Sequence, residues 1–347
     1  MKKFISALFA ILMVVTLAAG LFACVPDSPT PDVKPDDAGT GDTTPATTYT
    51  VCAPDGAPAL ALSKMMKDGA AINGHSVNYA VISAANVASS MTNGDADFII
   101  APTNAGVMQS INTDAYYLLG VTSWGNLYIV TTNDSYQTLE DSASAIAFLA
   151  QFGGHSISSI GNNQVPDKSL KYLLGLAEVS ATVVDGVSAQ AIRTDLIARN
   201  IDAALLGEPA VTGIKAFLTN NGVSNCRILG SLSAVWQALT NLAYPQASVF
   251  VKKSVPAADV AAFETAIKAS IDYFNASATN AEELGNYMES RDDSTLSGAI
   301  VKQCYQRTAQ AYRAAAEVKD DVKRLVSVLV PSLASADYDA IFYAAAQ

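Results

Sequence analysis

Histidine, tryptophan and cysteine are scarce in this chain of 347 residues, which holds two, two and four of them. His75 and His155 each stand just ahead of a predicted strand, away from the strand ends where an α/β site forms. A hydrolytic triad therefore has no imidazole to build on. No two cysteines have metal-ligand spacing, and no Walker loop, zinc motif or G-x-G-x-x-G turn occurs. The sequence thus assigns no catalytic residue, no metal and no cofactor, and an enzyme is not expected. Charge is thin too: charged residues make up 15 %, and 21 basic against 32 acidic residues leave a net charge of −11. Such an acidic balance argues against nucleic acid and against docking to anionic lipid.

Long apolar runs are also missing, apart from one at the N-terminus. Lys2 and Lys3 precede an apolar core, Ile5 to Leu17, and Leu21-Phe22-Ala23-Cys24 follows. This grammar resembles a bacterial lipoprotein signal, residues 1–23, cleaved before a cysteine that is then acylated with palmitate-type chains. Cys24 is the expected lipid attachment, although Phe22 is bulkier than the usual small residue. Residues 24–48 are rich in Pro, Asp, Thr and Gly, bury too little to offset their ordering entropy, and read as a disordered tether. A domain on the extracytoplasmic face of the cell membrane is the expectation. Cys52, Cys226 and Cys304 remain: Cys52 reads as a buried free thiol, and a Cys226–Cys304 disulfide stays open.

What is present is an internal echo. Asp95-Ala96 opens a run ending at Pro102, with Gly106-Val107 beyond, and Asp202-Ala203 opens another ending at Pro209, with Gly213-Ile214 beyond. Both read D-A-x5-P-x3-G-(V/I), a buried strand passing through a proline turn into a helix. Around each block the pattern is β-α-β-α-β. Thr50–Ala53, Ser76–Ile82 and Asp97–Ala101 alternate with helices over Ala57–Lys67 and Ala84–Met91. Then His155–Ile160, Ala181–Val184 and Ala203–Gly207 alternate with Asp167–Leu176 and Gln190–Arg199. That order predicts an α/β protein of two similar doubly wound lobes. Residues 49–131 form the first part of lobe I, 132–240 form lobe II, and 241–347 return to lobe I through a strand at Ala247–Lys252. Helices are expected over Pro256–Asn275, Ala281–Met288, Ala299–Ala316 and Lys319–Leu329. Two crossings make a hinge on which the lobes can close.

Pro54-Asp55-Gly56-Ala57-Pro58-Ala59-Leu60-Ala61 resembles the opening of extracytoplasmic solute-binding proteins of ABC importers, in the nitrate, taurine, sulfonate and thiamine-precursor group. Asp202 to Ala210 is similar to that group's second-lobe motif, and Tyr273-Phe274 ends a helix like the one after its return strand. The resemblance covers Tyr49 to Asn275. It implies a type II periplasmic-binding fold, a small-molecule solute, an ABC permease as partner, membrane association through the lipid anchor, and a monomer.

In open α/β sheets ligands bind beyond the carboxyl ends of the strands. The loops there contain Asp55, Gly56 and Ala57; Ser83, Ala84 and Asn86; Thr103 and Asn104; Asn162 and Asn163; and Glu208. Small residues let a ligand approach backbone N–H groups, and the Ser, Thr and Asn side chains add neutral hydrogen bonds. Ser83, Thr103 and Asn104 serve equally as helix caps, and Glu208 could pair with a cation or favour the helix that follows it. Trp124, beside Gly125 at the crossing, is the aromatic candidate for stacking on a flat ligand, and Tyr244 a weaker one. No lysine or arginine falls in these loops, which leans towards a neutral or weakly polar heterocycle. The expected function is a solute receptor for import. A sensory or adhesive surface lipoprotein, or a pathway enzyme on the same fold, is the alternative.

Overall fold

The structure, a computed structural model, describes residues 47–162 and 164–344. The expected signal segment, Cys24, most of the tether and Asn163 lie outside the described residues. The chain forms two β-sheets, each covered by helices on both faces. The first contains β1 (Thr48–Pro54), β2 (Ser76–Ile82), β3 (Phe98–Pro102), β4 (Tyr116–Ser123), β10 (Ala247–Lys252) and β11 (Gln310–Ala314). Its order is β11-β4-β10-β3-β1-β2. The second contains β5 (Leu127–Thr131), β6 (Ser156–Ser159), β7 (Thr182–Val184), β8 (Ala203–Gly207) and β9 (Arg227–Ser231), in the order β7-β6-β8-β5-β9.

β1, β2 and β3 are parallel, as are β6, β7 and β8, and each set meets antiparallel strands on one side. The expected α/β architecture of two similar doubly wound lobes is the one found. β3 and β8 explain why the runs lack polar alternation: Phe98 to Ala101 and Ala203 to Leu206 are buried on both faces. On one face of the first sheet Phe98 stacks on Phe263 of the helix Ala257–Ala276, with ring centroids 4.1 Å apart. In the second lobe, buried Trp236 of the helix Leu232–Thr240 packs between Tyr172 and Tyr244.

A late helix ties the lobes together. Ala315–Leu329 buries Val318, Val322 and Val326 in the first lobe's core, and Leu325 and Leu329 in the second's. The spacing puts the two sets on adjoining strips of one apolar stripe. Lys168 of the second lobe donates to the Leu329 carbonyl at 2.8 Å.

Several expectations need correction. Ala299–Ala316 is not one helix: Gly298–Cys304 is helical, Tyr305–Thr308 is a 3-10 turn, and Gln310–Ala314 is β11. Its alanines are strong helix formers, but propensity yields to tertiary context, and pairing with β4 overrides it. Ala84–Asn86 is a 3-10 turn that leads into a helix at Val87–Asn93. Strand β9 and the helix Leu232–Thr240 had no counterpart in the sequence reading. Leu127–Thr131 already belongs to the second sheet, so the crossing lies at Trp124–Asn126, ahead of the boundary expected after Thr131. Cys52, Cys226 and Cys304 are all free and buried, so Cys226 and Cys304 are not bonded. Tyr244 is buried in the second lobe's core, its hydroxyl 2.7 Å from Ser169 Oγ.

Candidate functional site

Strand register decides where the loops gather. Pro54 lies opposite Ile82, and Ala247 lies opposite both Pro102 and Ser123, so these residues share one edge of the first sheet. Gly207 lies opposite Leu127 at the corresponding edge of the second. Only Trp124, Gly125 and Asn126 separate Ser123 from Leu127. The carboxyl ends of both parallel strand sets therefore face each other across a three-residue crossing. The second crossing, Asn241 to Gln246, is laced to the first: Gln246 N donates to Ser123 O, and Asn126 N donates to Gln246 Oε1, each at 2.9 Å. Gly125 sits at φ 101°, and a Cβ there would lie 2.4 Å from Ser233 Cβ, so glycine is required at this point of the hinge.

The first-lobe candidates share this edge but do different things. Asp55 accepts from Ser294 Oγ at 3.1 Å and from the Thr295 N–H at 3.0 Å, fastening the segment between two late helices onto the end of β1. Gly56 (φ 100°) precedes the short helix that begins at buried Ala57. Ser83 caps the following turn, its Oγ accepting from Ala85 N, and Ala84 and Asn86 are exposed beside it. Thr103 is buried, with its hydroxyl 2.8 Å from Ser248 Oγ. Asn104 is half-buried, and its Oδ1 has no partner.

In the second lobe Asn162 is exposed, its side chain against Gly186. Glu208 is 2 % exposed and fully engaged. It accepts from Thr212 N at 3.0 Å, Thr212 Oγ1 at 2.8 Å and Arg307 Nε at 2.8 Å. Arg307 comes from the first-lobe side, just ahead of β11, and also donates to Thr212 Oγ1 at 2.7 Å. Glu208 thus caps the helix Ala210–Asn220 and joins the lobes by an ion pair. Burial, then the charge of Glu208, pushes the neighbouring Cys304 thiol up to about 12 and the Tyr128 phenol likewise. Both are neutral at pH 7, so neither supplies a nucleophile.

Trp124 is pinned rather than free. Its Nε1 donates to Ala311 O at 2.8 Å and the Arg313 guanidinium lies 4.8 Å from its ring. With Ser233, Gln237 and Tyr244 these residues line a cavity of about 400 Å³ beside the hinge. Three residues bonded to the ends of these strands, Asn126, Arg307 and Gln310, escaped the sequence reading. Asn126 follows Trp124-Gly125 directly and could have been found there, whereas Arg307 and Gln310 lie far downstream in a segment that reads as helical. His75 and His155 sit at the opposite strand ends. Among the described residues no cluster of His, Cys, Asp or Glu could hold a metal, and no helix is long and apolar enough to cross a membrane.

No protein-family model and no curated protein sequence matches the chain. Solved structures do match its fold. An ABC transporter protein from Parabacteroides distasonis is 20 % identical at a TM-score of 0.65, over 83 % of this chain and 95 % of that one. The periplasmic aliphatic sulphonate binding protein SsuA of Escherichia coli is 12 % identical at 0.65, over 88 % and 94 %. The periplasmic nitrate-binding protein NrtA of Synechocystis PCC 6803 is 12 % identical at 0.56, over 86 % and 84 %. The fold is that of ABC-transporter substrate-binding proteins.

Proposed function

We propose that this protein is the solute receptor of an ABC importer. It captures a small organic molecule between its two lobes and delivers it to a membrane permease. The observation that carries the reading is the meeting of both sets of strand carboxyl ends across a hinge of two short, cross-bonded crossings. Backbone at Gly56 and Ala57, with Ser83, Ala84, Asn86, Thr103, Asn104 and Asn162, forms the contact surface. Asp55 and Glu208 shape that surface from beneath, and Trp124 flanks its hinge end. The ligand closes the lobes by its greater affinity for the closed state. The chain is held at the membrane by acylated Cys24 and acts as a monomer. Neighbours in fold that are named as binding proteins support the same reading.

A thermal-shift screen of the purified protein against amino acids, polyamines, heterocycles, sulfonates and nitrate tests it. A solute present at 100 times its Kd should stabilise the fold by about 2.7 kcal/mol, an evident rise in Tm. A folded protein that shifts with nothing in such a library would move the reading to a sensory or adhesive surface lipoprotein.

A further inference from the structure

We infer that the lobes move by twisting about the helix Ala315–Leu329, which stays fixed to both, and that the Glu208–Arg307 ion pair on the other side of the crossings is the latch that opens. This deepens the solute-receptor reading above, in which the lobes move, and its test needs no solute.

Strands alternate their side chains between two faces, and here each face has its own core. Phe98, Ile100 and Val249 of the first sheet enter one core, and Ile99, Ala101 and Phe250 another. Ile129, Ala203 and Leu205 of the second sheet enter one core, and Val130, Ala204 and Leu206 another. The lobes are therefore joined on two sides of the crossings, and the two joints differ in kind. On the first side Ala315–Leu329 places Val318, Val322 and Val326 in the Ile99 core, and Leu325 and Leu329 in the Ile129 core. Asp321 of this helix accepts from Ala243 N, in the second crossing, at 2.8 Å, and Arg324 donates to Tyr172 Oη at 2.7 Å. Parting the lobes here would bring buried leucines into water.

On the second side each helix keeps its apolar residues in its own lobe. Gly298–Cys304 buries Val301 in the Phe98 core, whereas Ala210–Asn220 buries Val211, Ile214 and Leu218 in the Val130 core. Among the described residues no apolar core spans these two helices. The bonds across this seam run from Arg307 to Glu208 and Thr212, and from Tyr128 Oη to Arg307 O at 3.1 Å. A groove of about 500 Å³, lined by Lys215, Ala216, Gln303 and Arg307 among others, opens the seam to solvent. Hydrogen bonds parted there are exchanged for bonds to water, so this side separates more easily than the first. Glu208 N donates to Asn126 O, and Asn126 Nδ2 donates to Glu208 O. The carboxylate can thus leave Arg307 while its backbone stays on the crossing.

A native thiol reports the seam. Cys304 is 1 % exposed and lies against Thr212 and Glu208, whereas Cys52 and Cys226 are buried inside the first and second lobes. Iodoacetamide labelling of the purified protein, read by peptide mass spectrometry over a range of urea concentrations, tests the inference. Opening of the seam exposes little surface and global unfolding exposes much, so the urea slopes of the labelling rates separate them. Cys304 is expected to react at least tenfold faster than Cys52 and Cys226, with a shallow slope against their steep ones. Arg307→Met should speed Cys304 at least tenfold further. Loss of that cation by itself disfavours the thiolate, so an acceleration reads opening. A thiol placed on the first side by Leu329→Cys should show the steep slope. Three native cysteines reacting together on one steep slope would overturn the latch and leave the receptor reading to its solute screen. Fast Cys304 labelling unchanged by Arg307→Met overturns the role of the ion pair. A fast, shallow response from Leu329→Cys overturns the fixed side, and should that variant not fold, hydrogen exchange along Ala315–Leu329 in the unaltered protein decides by the same slopes.

Discussion

Pro102 and Pro209 end equivalent strands, and each leads into a helix carrying glycine at the same step, but the two helices meet different neighbours. At Gly106 an added Cβ would lie 2.1 Å from Cε2 of buried Phe250 on the return strand β10, whereas at Gly213 nothing lies within 4 Å. In the first lobe the residue after the proline, Thr103, turns its hydroxyl to Ser248 of β10. In the second lobe the residue before the proline, Glu208, caps its helix and reaches across to Arg307. The shared pattern therefore specifies strand, turn and helix, while the packed partner decides what the pattern's residues do. One copy is pressed onto a return strand, and the other reaches across the hinge.

Alanine at the two glycines should break the resemblance most sharply. Gly106→Ala forces a methyl into the Phe250 ring in a full core and should cost about 3 kcal/mol. Gly213→Ala fills open space on a helix and should stabilise by about 0.5–1 kcal/mol through helix propensity alone. Urea unfolding of the two variants reads both, and equal effects would mean that the helices are packed alike.

The parts legible in the sequence were those whose physics is local. The buried runs Phe98–Ala101 and Ala203–Leu206, the glycine and serine at strand ends, and the two-lobe order follow from composition and period. β11 was not legible, because Gln310-Ala-Tyr-Arg-Ala314 carries no strand signal and owes its conformation to the edge of β4. The candidate site was legible by halves. Asp55 and Ser83 announce themselves by position after a strand, but Gln310 reaches Ala57 and Arg307 reaches Glu208 only through tertiary packing. Glu208 without Arg307 in view is an acidic residue awaiting a cation, whereas with it the carboxylate is already satisfied.

That ion pair gives the second contrast. Arg307→Met leaves the Glu208 carboxylate buried without its cation, accepting from Thr212 N and Oγ1. The expected cost is about 2 kcal/mol, below the range for fully buried pairs because the Arg307 side chain is 36 % exposed. The corresponding first-lobe pair, Lys252 with Asp97 at 3.0 Å, is partly exposed on both sides. Lys252→Met should cost less than about 1 kcal/mol. A larger loss at Lys252 than at Arg307 in the same unfolding assay would reverse the assignment of which pair is structurally committed.

The smallest difference concerns the two histidines. His75, ahead of β2, lies 3.8 Å from the buried Asp259 carboxylate, which also accepts from Tyr49 Oη at 2.5 Å and Asn73 Nδ2 at 2.6 Å. His155, ahead of β6, faces Asp202 at 3.3 Å with both side chains near half exposure. Burial pulls the Asp259 carboxyl upward. The hydrogen bonds from Tyr49 and Asn73, with the charge of His75, outweigh it and hold the group below the ordinary aspartate range. Its stabilisation is therefore complete above about pH 4 and disappears as the pH falls through the lowered folded value. Urea midpoints measured from pH 5 to pH 3 should decline, and Asp259→Asn should flatten part of that decline. The remainder belongs to carboxylates such as Asp293, held low by Arg291. Asp202→Asn should change stability by no more than about 0.5 kcal/mol, because an exposed pair is worth little. A profile flattened as much by Asp202→Asn as by Asp259→Asn would place the two histidines in equivalent settings after all.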